Sequence, residues 1–367
     1  MSELGAALRE TAQRILGDHP PGTGTQWPAA LWRSIADAGF DAAVAPESAG
    51  GSGVGFSDAG ALLFAVGRHA SPVPLAEAMI ARWLLGEQGA EVEGLVSLAA
   101  STGSEGVKLS GSPGEWRLDG TLARVPWARN ARYVAAVCDH ASGPRVVLVE
   151  REAAGVSLAE GINLAGEPRD TLALANVAPK FVGPSPVDAA SLLAIAAVTR
   201  SAQMAGAIER TLALSVDYAN LREQFGRPIG KFQAIQQSVA VLATQSAAAK
   251  AAAEAGLDAI DDFVSRGGEP PARCIAAMSA KIRAGEAAGI ACAISHQVFG
   301  AIGFTQEHEL HHSTQRLWSW RDECGNEAWW SRRLGEHVLA SRESAWRTLA
   351  PLAPLAPLES RNAEAAR

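Results

Sequence analysis

The stretch "PVDAASLLAIAAVTRSAQMAGAIERTLALSVDYANLRE", residues 186 to 223, is the one whose reading decides the fold. It opens with an aspartate in N-cap position and then runs about 34 residues without another proline, a helix on the order of 50 Å long. So long an apolar helix needs partners along its length. Two follow it: "KFQAIQQSVAVLATQSAAAKAAAEAGLDAIDDFVSR" (231–266) and "PARCIAAMSAKIRAGEAAGIACAISHQVF" (271–299) are also long, and their many alanines permit close helix approach. Residues 186–350 therefore read as an antiparallel four-helix bundle.

Upstream, residues 1–90 read as a helical domain. "ALWRSIADAGF" has apolar residues at helical spacing, and "SDAGALLFAVGRHA" begins with a Ser/Asp start signal. Residues 91–185 change character to short runs with β-branched or aromatic residues: "EGLVSLAA", "GEWRLDGT", "RYVAAVCD", "RVVLVERE". The Leu-Asp-Gly at 118–120 predicts a hairpin between two of them. Helices, then strands, then a bundle make a segregated α+β chain with a middle β-barrel-like domain, not an alternating βαβ chain. Residues 351–367 form a proline-punctuated tail that reads as disordered.

With 367 residues, 48% hydrophobic and 19% charged, the chain is globular and large enough for two or three domains. Its contiguous apolar runs, such as "LLAIAAV" at 192–198, are too short to span a bilayer, and its N-terminus lacks a basic region followed by a long apolar stretch. No membrane is expected, and the cytoplasm is the default. A net charge of −7 with dispersed basic residues argues against nucleic acid. Cys138, Cys274, Cys292 and Cys324 are scattered and read as free thiols. The glycine cluster at 50–55 follows no strong strand and reads as a flexible turn, not a phosphate loop. His308, Glu309 and His312 match the zinc-hydrolase pattern H-E-x-x-H, but no third ligand follows at a recognisable spacing, so no metal is expected.

Two stretches of the bundle, "YANLREQFGRPIGKFQAIQQ" (218–237) and "HQVFGAIGFTQEHELH" (296–311), closely resemble the C-terminal domain of the acyl-CoA dehydrogenases. That family's signatures there read roughly R-x-Q-F-G-x-P-I-x-x-F-Q and Q-x-x-G-G-x-G-F-T. "WRSIADAGFDAAVAPESAGGSGVG" (32–55) is similar to its N-terminal pattern, so the resemblance extends over nearly the whole chain. It implies two helical domains flanking a β domain, with FAD in a cleft and part of the ADP half held by a neighbouring subunit. It further implies that Arg222 and Gln224 reach the pyrophosphate, that Phe225 packs by the adenosine, and that Gln297, Gly300 and Ala301 lie at the ADP moiety. Ala301 stands where the family has its second glycine. The chemistry is sensible: a guanidinium chelates phosphate oxygens, and glycine lets backbone N–H groups come close.

The resemblance implies α,β-dehydrogenation of an acyl-CoA thioester to its 2,3-enoyl product, with electrons passed to an electron-transfer flavoprotein or similar acceptor. A glutamate base takes the α-proton in that family. Gapless counting from Phe304 puts Cys324 at the base position and Glu323 one residue early; the alternative position on the long helix falls at about Ala196. The β-domain elements that would meet the flavin ring are also altered, with Ser101, Thr102 and Ser104 as substitute donors and Trp127 as the aromatic that could stack. Two readings follow: a flavoenzyme in its own right, as a homo-oligomer, or a companion subunit of a hetero-oligomer, lending its ADP-binding element to a related chain.

Overall fold

The computed structural model describes residues 2–22, 26–100 and 107–340; the tail at 351–367 and the candidate donors Ser101, Thr102 and Ser104 lie outside them. The chain opens with helices α1 (Glu3–Gly17), α2 (Ala29–Asp37), α3 (Phe56–Arg68) and α4 (Leu75–Gly86). The Ser/Asp start signal predicted for α3 is replaced by a tertiary cap. Asp261, from a distant helix, accepts the Phe56 and Ser57 N–H groups at 2.6 and 2.9 Å, satisfying donors that the first turn cannot pair internally.

Strands follow: β1 (Val96–Leu98), β2 (Lys108–Ser110), β3 (Arg117–Pro126), β4 (Tyr133–Cys138), β5 (Arg145–Glu150), β6 (Val156–Ala159), β7 (Arg169–Val177) and β8 (Phe181–Pro184). Among the described residues they make two sheets, ordered β1-β4-β5-β8 and β2-β3-β7-β6, antiparallel except for the β1–β4 pair. Their facing side chains share one core that includes Leu118, Leu122, Val134, Val147, Val149 and Leu172. The predicted hairpin at 118–120 is not a turn. Those residues lie inside β3, where the pairing with β7 shifts register between Leu118 and Gly120, and Gly120 takes φ +130°. Glycine there serves a bulge, the other structural use of an unhindered backbone within a strand.

The bundle is built from α5 (Ala189–Leu221), α6 (Gln233–Arg266), α7 (Ile275–Phe299) and α8 (Leu310–Asp322), with α9 (Glu327–Ala340) against α7. Asp188 caps α5 as predicted, accepting the Ser191 N–H at 2.7 Å. Glycine sets the crossing of α3 and α5. A methyl on Gly67 would stand 1.8 Å from the Gln203 carbonyl oxygen, and one on Gly206 would stand 2.0 Å from that of Phe64. By length and mean hydropathy α5 could cross a bilayer, but 94% of its most apolar window is buried inside the fold. Its apolar character serves packing.

Candidate functional site

At the end of α5 the chain turns in a tight hairpin. Arg222 leaves the helix in extended conformation, its N–H still donating to the Tyr218 carbonyl at 2.8 Å, and β9 (Glu223–Gln224) pairs with β10 (Arg227–Pro228). The two residues between, Phe225 and Gly226, are both left-handed, at φ +53° and +78°. For glycine this costs little; for phenylalanine it costs roughly 1–2 kcal/mol. The strain holds the Phe225 ring 92% exposed, its edge against Phe232, with the Arg227 guanidinium 4.3 Å over the Phe232 ring. Arg222 and Gln224 are exposed, and their side chains have no hydrogen-bond partner among the described residues.

The second predicted element sits at the same end of the bundle. Phe299, the last residue of α7, stacks on Tyr218 at 4.3 Å, so the Arg222 corner and the Gln297–Ala301 segment are held together. Gly300 takes φ +64°, ψ −142°, a conformation nearly reserved for glycine. Gln297, Gly300 and Ala301 are exposed.

The H-E-x-x-H match is not a helical pair. α8 begins only at Leu310, so His308 precedes it and Glu309 is its N-cap residue. Glu309 pairs with Arg210 at 2.6 Å, and His308 Nδ1 accepts the Leu310 N–H at 3.1 Å. Among the described residues no three His, Cys, Asp or Glu side chains converge as metal ligands would.

Both predicted base positions line one cleft, between α4, α5, the ends of β1 and β3, and the turn after α8. Its walls include Ala196, Thr199, Arg200, Glu323 and Cys324, and the cavity among them measures about 60 Å³. Small-molecule sites are usually ~300–1,000 Å³. α8 ends at Asp322; Glu323 is extended and Cys324 left-handed at φ +56°, so the two residues are not neighbours on a helix. This irregularity turns Glu323 inward, to 8% exposure, while Arg321 pairs with Glu327.

Inside, Glu323 meets cations. Arg169 clasps both carboxylate oxygens at 2.8 and 3.0 Å, Arg200 approaches at 3.1 Å, and Asn163 donates at 3.1 Å. The lattice continues. Arg200 also binds Glu77 at 2.5 Å and lies over the Trp320 ring, while Arg169 and Arg316 share Glu167 at 3.0 Å each. Arg316 then reaches the Gly22 carbonyl at 2.8 Å, so one ionic network ties the early helices, the sheets and the bundle together.

Burial is the largest influence on Glu167 and Glu323 and pushes their pKa values up, but the arginines outweigh it. Arg316 and Arg169 hold Glu167 at about 2, and Arg169 and Arg200 hold Glu323 below the usual carboxylate value. The Cys324 thiol, which donates to the Ala100 carbonyl at 3.5 Å, is pushed by burial up to about 11. Lys281, fully buried and donating to the Arg321 carbonyl at 2.6 Å, is driven by burial down to about 8.

Trp127 is 2% exposed, with the Trp27 ring edge-on at 5.3 Å, so its ring has no free face for a ligand. Trp320 and Trp330, on either side of the turn after α8, are buried, and the Trp330 indole N–H donates to the Cys324 carbonyl at 2.9 Å. Sequence reasoning missed Arg200, Arg169, Glu77, Glu167, Arg316 and Lys281. One signal was legible: Arg200 is the lone charged residue between Ala189 and Ile208, and a charge in a buried apolar helix requires a partner.

Comparison with known proteins settles the family. Residues 188–321 match the acyl-CoA dehydrogenase C-terminal domain. The chain is 31% identical over 308 residues to acyl-CoA dehydrogenase FadE27 of Mycobacterium tuberculosis, covering 77% of this chain and 80% of that one. The chain belongs to the acyl-CoA dehydrogenase family. Among solved family structures it is similar to the Tcur3481-Tcur3483 steroid ACAD G363A variant, with TM-score 0.81 and 25% identity over 91% of this chain and 97% of the other. It shares its fold with a chain of the ChsE4-ChsE5 complex of M. tuberculosis, with TM-score 0.82 and 22% identity over 94% and 99% of the two chains.

Proposed function

We propose that this chain is the base-poor subunit of a mixed acyl-CoA dehydrogenase oligomer. It contributes the Arg222, Gln224 and Phe225 corner, with Gln297, Gly300 and Ala301, to the ADP half of FAD whose flavin ring and base belong to a related partner chain. The observation that carries this reading is the engaged carboxylate: Glu323 is held by two arginines beside a cavity of about 60 Å³.

The two ends of the site suit FAD unequally. At the hairpin, a free guanidinium, a free amide and an exposed aromatic ring meet the needs of pyrophosphate and adenosine. In the cleft the residues do not suit a flavin ring, because the volume is too small and Trp127 is enclosed. Neither candidate base is ready for proton abstraction. The proton affinity of Glu323 is depressed by Arg169 and Arg200, and a thiol at about 11 is ionised in about one molecule in 10⁴ at neutral pH. In the mixed assembly FAD supplies the hydride acceptor for an acyl-CoA thioester, and electrons leave to an electron-transfer flavoprotein or a similar acceptor. Relatives whose names pair two proteins support the mixed architecture.

Expression alone and with a related acyl-CoA dehydrogenase chain tests the proposal. A colourless protein alone, and a yellow oligomer reducible by acyl-CoA after co-expression, is the expected pair of results. A yellow homo-oligomer that acyl-CoA bleaches refutes it.

A further inference from the structure

Glu309 and His312 of the H-E-x-x-H match lie on a second cleft, of about 280 Å³, where the ends of α1 and α3 meet α5 and the first turn of α8. We infer that this cleft binds a small phosphate-type dianion, on the two guanidiniums of Arg68 and Arg210, the imidazoles of His19, His69 and His312, and the Ser313 hydroxyl in the first turn of α8. The volume suits inorganic phosphate or a small phosphate ester and is small for a nucleotide.

Donors outnumber acceptors on this wall. Arg68 uses one terminal nitrogen on Glu209, and Arg210 uses one on Glu309; their other guanidinium N–H groups have no partner among the described residues. Ser313 lines the cleft at 2% exposure, and its hydroxyl also has no hydrogen-bond partner among the described residues. That hydroxyl lies in the first turn of a 13-residue helix, where the helix dipole favours an anion, although the Leu310 and His312 N–H groups already donate to His308 Nδ1 and the Glu309 carbonyl. Compensation of the α3 C-terminus accounts for Arg68 and His69, and Glu309 pairs with Arg210, but neither accounts for His312 or Ser313.

The imidazoles make the site proton-linked. Burial first, then neighbouring cations, holds His69 and His312 below the ordinary imidazole value, His312 at about 4. Arg68 and Arg210 act on His69; His311 and Arg316 act on His312, against the opposing pull of Glu309. Asp18 and His19 follow α1, Arg14 is in its last turn, Glu209 is on α5 and His308 precedes α8, further charged or titratable groups of the elements around the cleft. A bound dianion removes the penalty on imidazolium, so binding takes up protons and strengthens as pH falls.

Calorimetric titration of the full chain with sulfate, which stays dianionic from pH 5 to 8, reads this directly. Sulfate should bind at least ten-fold tighter at pH 5.5 than at pH 8, with proton uptake seen as a dependence on buffer ionisation heat. Phosphate should compete with sulfate. Ser313→Ala and Arg210→Gln, each checked for an unchanged far-UV spectrum, should weaken sulfate at least ten-fold, and Arg68→Gln alone should do the same should one of them fail to fold. Absence of binding at millimolar sulfate at pH 5.5, or equal binding by the folded variants, overturns the inference.

Discussion

Replacing Glu323 with glutamine separates a structural carboxylate from a catalytic one by the sign of its effect on stability. In the structure the carboxylate receives three guanidinium contacts between 2.8 and 3.1 Å and an amide at 3.1 Å, all within the buried interior. Glu323→Gln keeps the shape but leaves Arg169 and Arg200 facing a neutral amide whose NH₂ points donors at donors. Breaking a buried pair in this way costs about 3–5 kcal/mol. With an unfolding entropy of ~2.1 cal/mol/K per residue, a chain of this size should lose about 4–7 °C in Tm. A carboxylate kept for proton abstraction predicts the opposite. An acid poised for substrate in a low-dielectric cleft is itself destabilising, so its removal would leave Tm unchanged or higher while lowering turnover by ~10² to 10⁴. Thermal unfolding of the variant beside acyl-CoA turnover by the co-expressed oligomer decides the matter. An unchanged or raised Tm with turnover abolished would refute the structural role assigned to the arginine lattice.

Other outcomes follow from the same geometry. Glu167 and Glu323 have folded pKa values below their unfolded ones, so their contribution is fully present above about pH 4.5; it should fall away as pH drops toward the folded values, with a Glu167→Gln variant showing a shallower acid unfolding profile. Lys281, lowered to about 8, binds its proton more weakly folded than unfolded, so stability should rise between about pH 8 and 10, a slope that Lys281→Met should erase in denaturant titrations. Phe225→Asn, which relieves a left-handed phenylalanine, should leave the isolated chain as stable or up to ~1 kcal/mol more so, while co-purified oligomer loses flavin absorbance. Gly67→Ala places a methyl 1.8 Å from the Gln203 carbonyl oxygen and should cost at least ~1–3 kcal/mol by urea denaturation.

The α+β order and the capped start of α5 were legible in the sequence because each is written locally: an Asp three residues before its N–H partner and a run without proline. Apolar periodicity alone announced the bundle. The start of α3 misled, since its cap comes from Asp261, some 200 residues away in sequence, and so did the Leu-Asp-Gly that became a bulge. Gapless counting did place Ala196 and Cys324 on one cleft. What it could not supply was the company Glu323 keeps. Its partners come from β7, α5 and the β6–β7 loop, and an ion pair depends on distance and dielectric, which exist only once separate segments have packed and excluded water. Sequence named the acids and bases of this protein; tertiary packing decided which of them are neutralised and which remain free to meet a ligand.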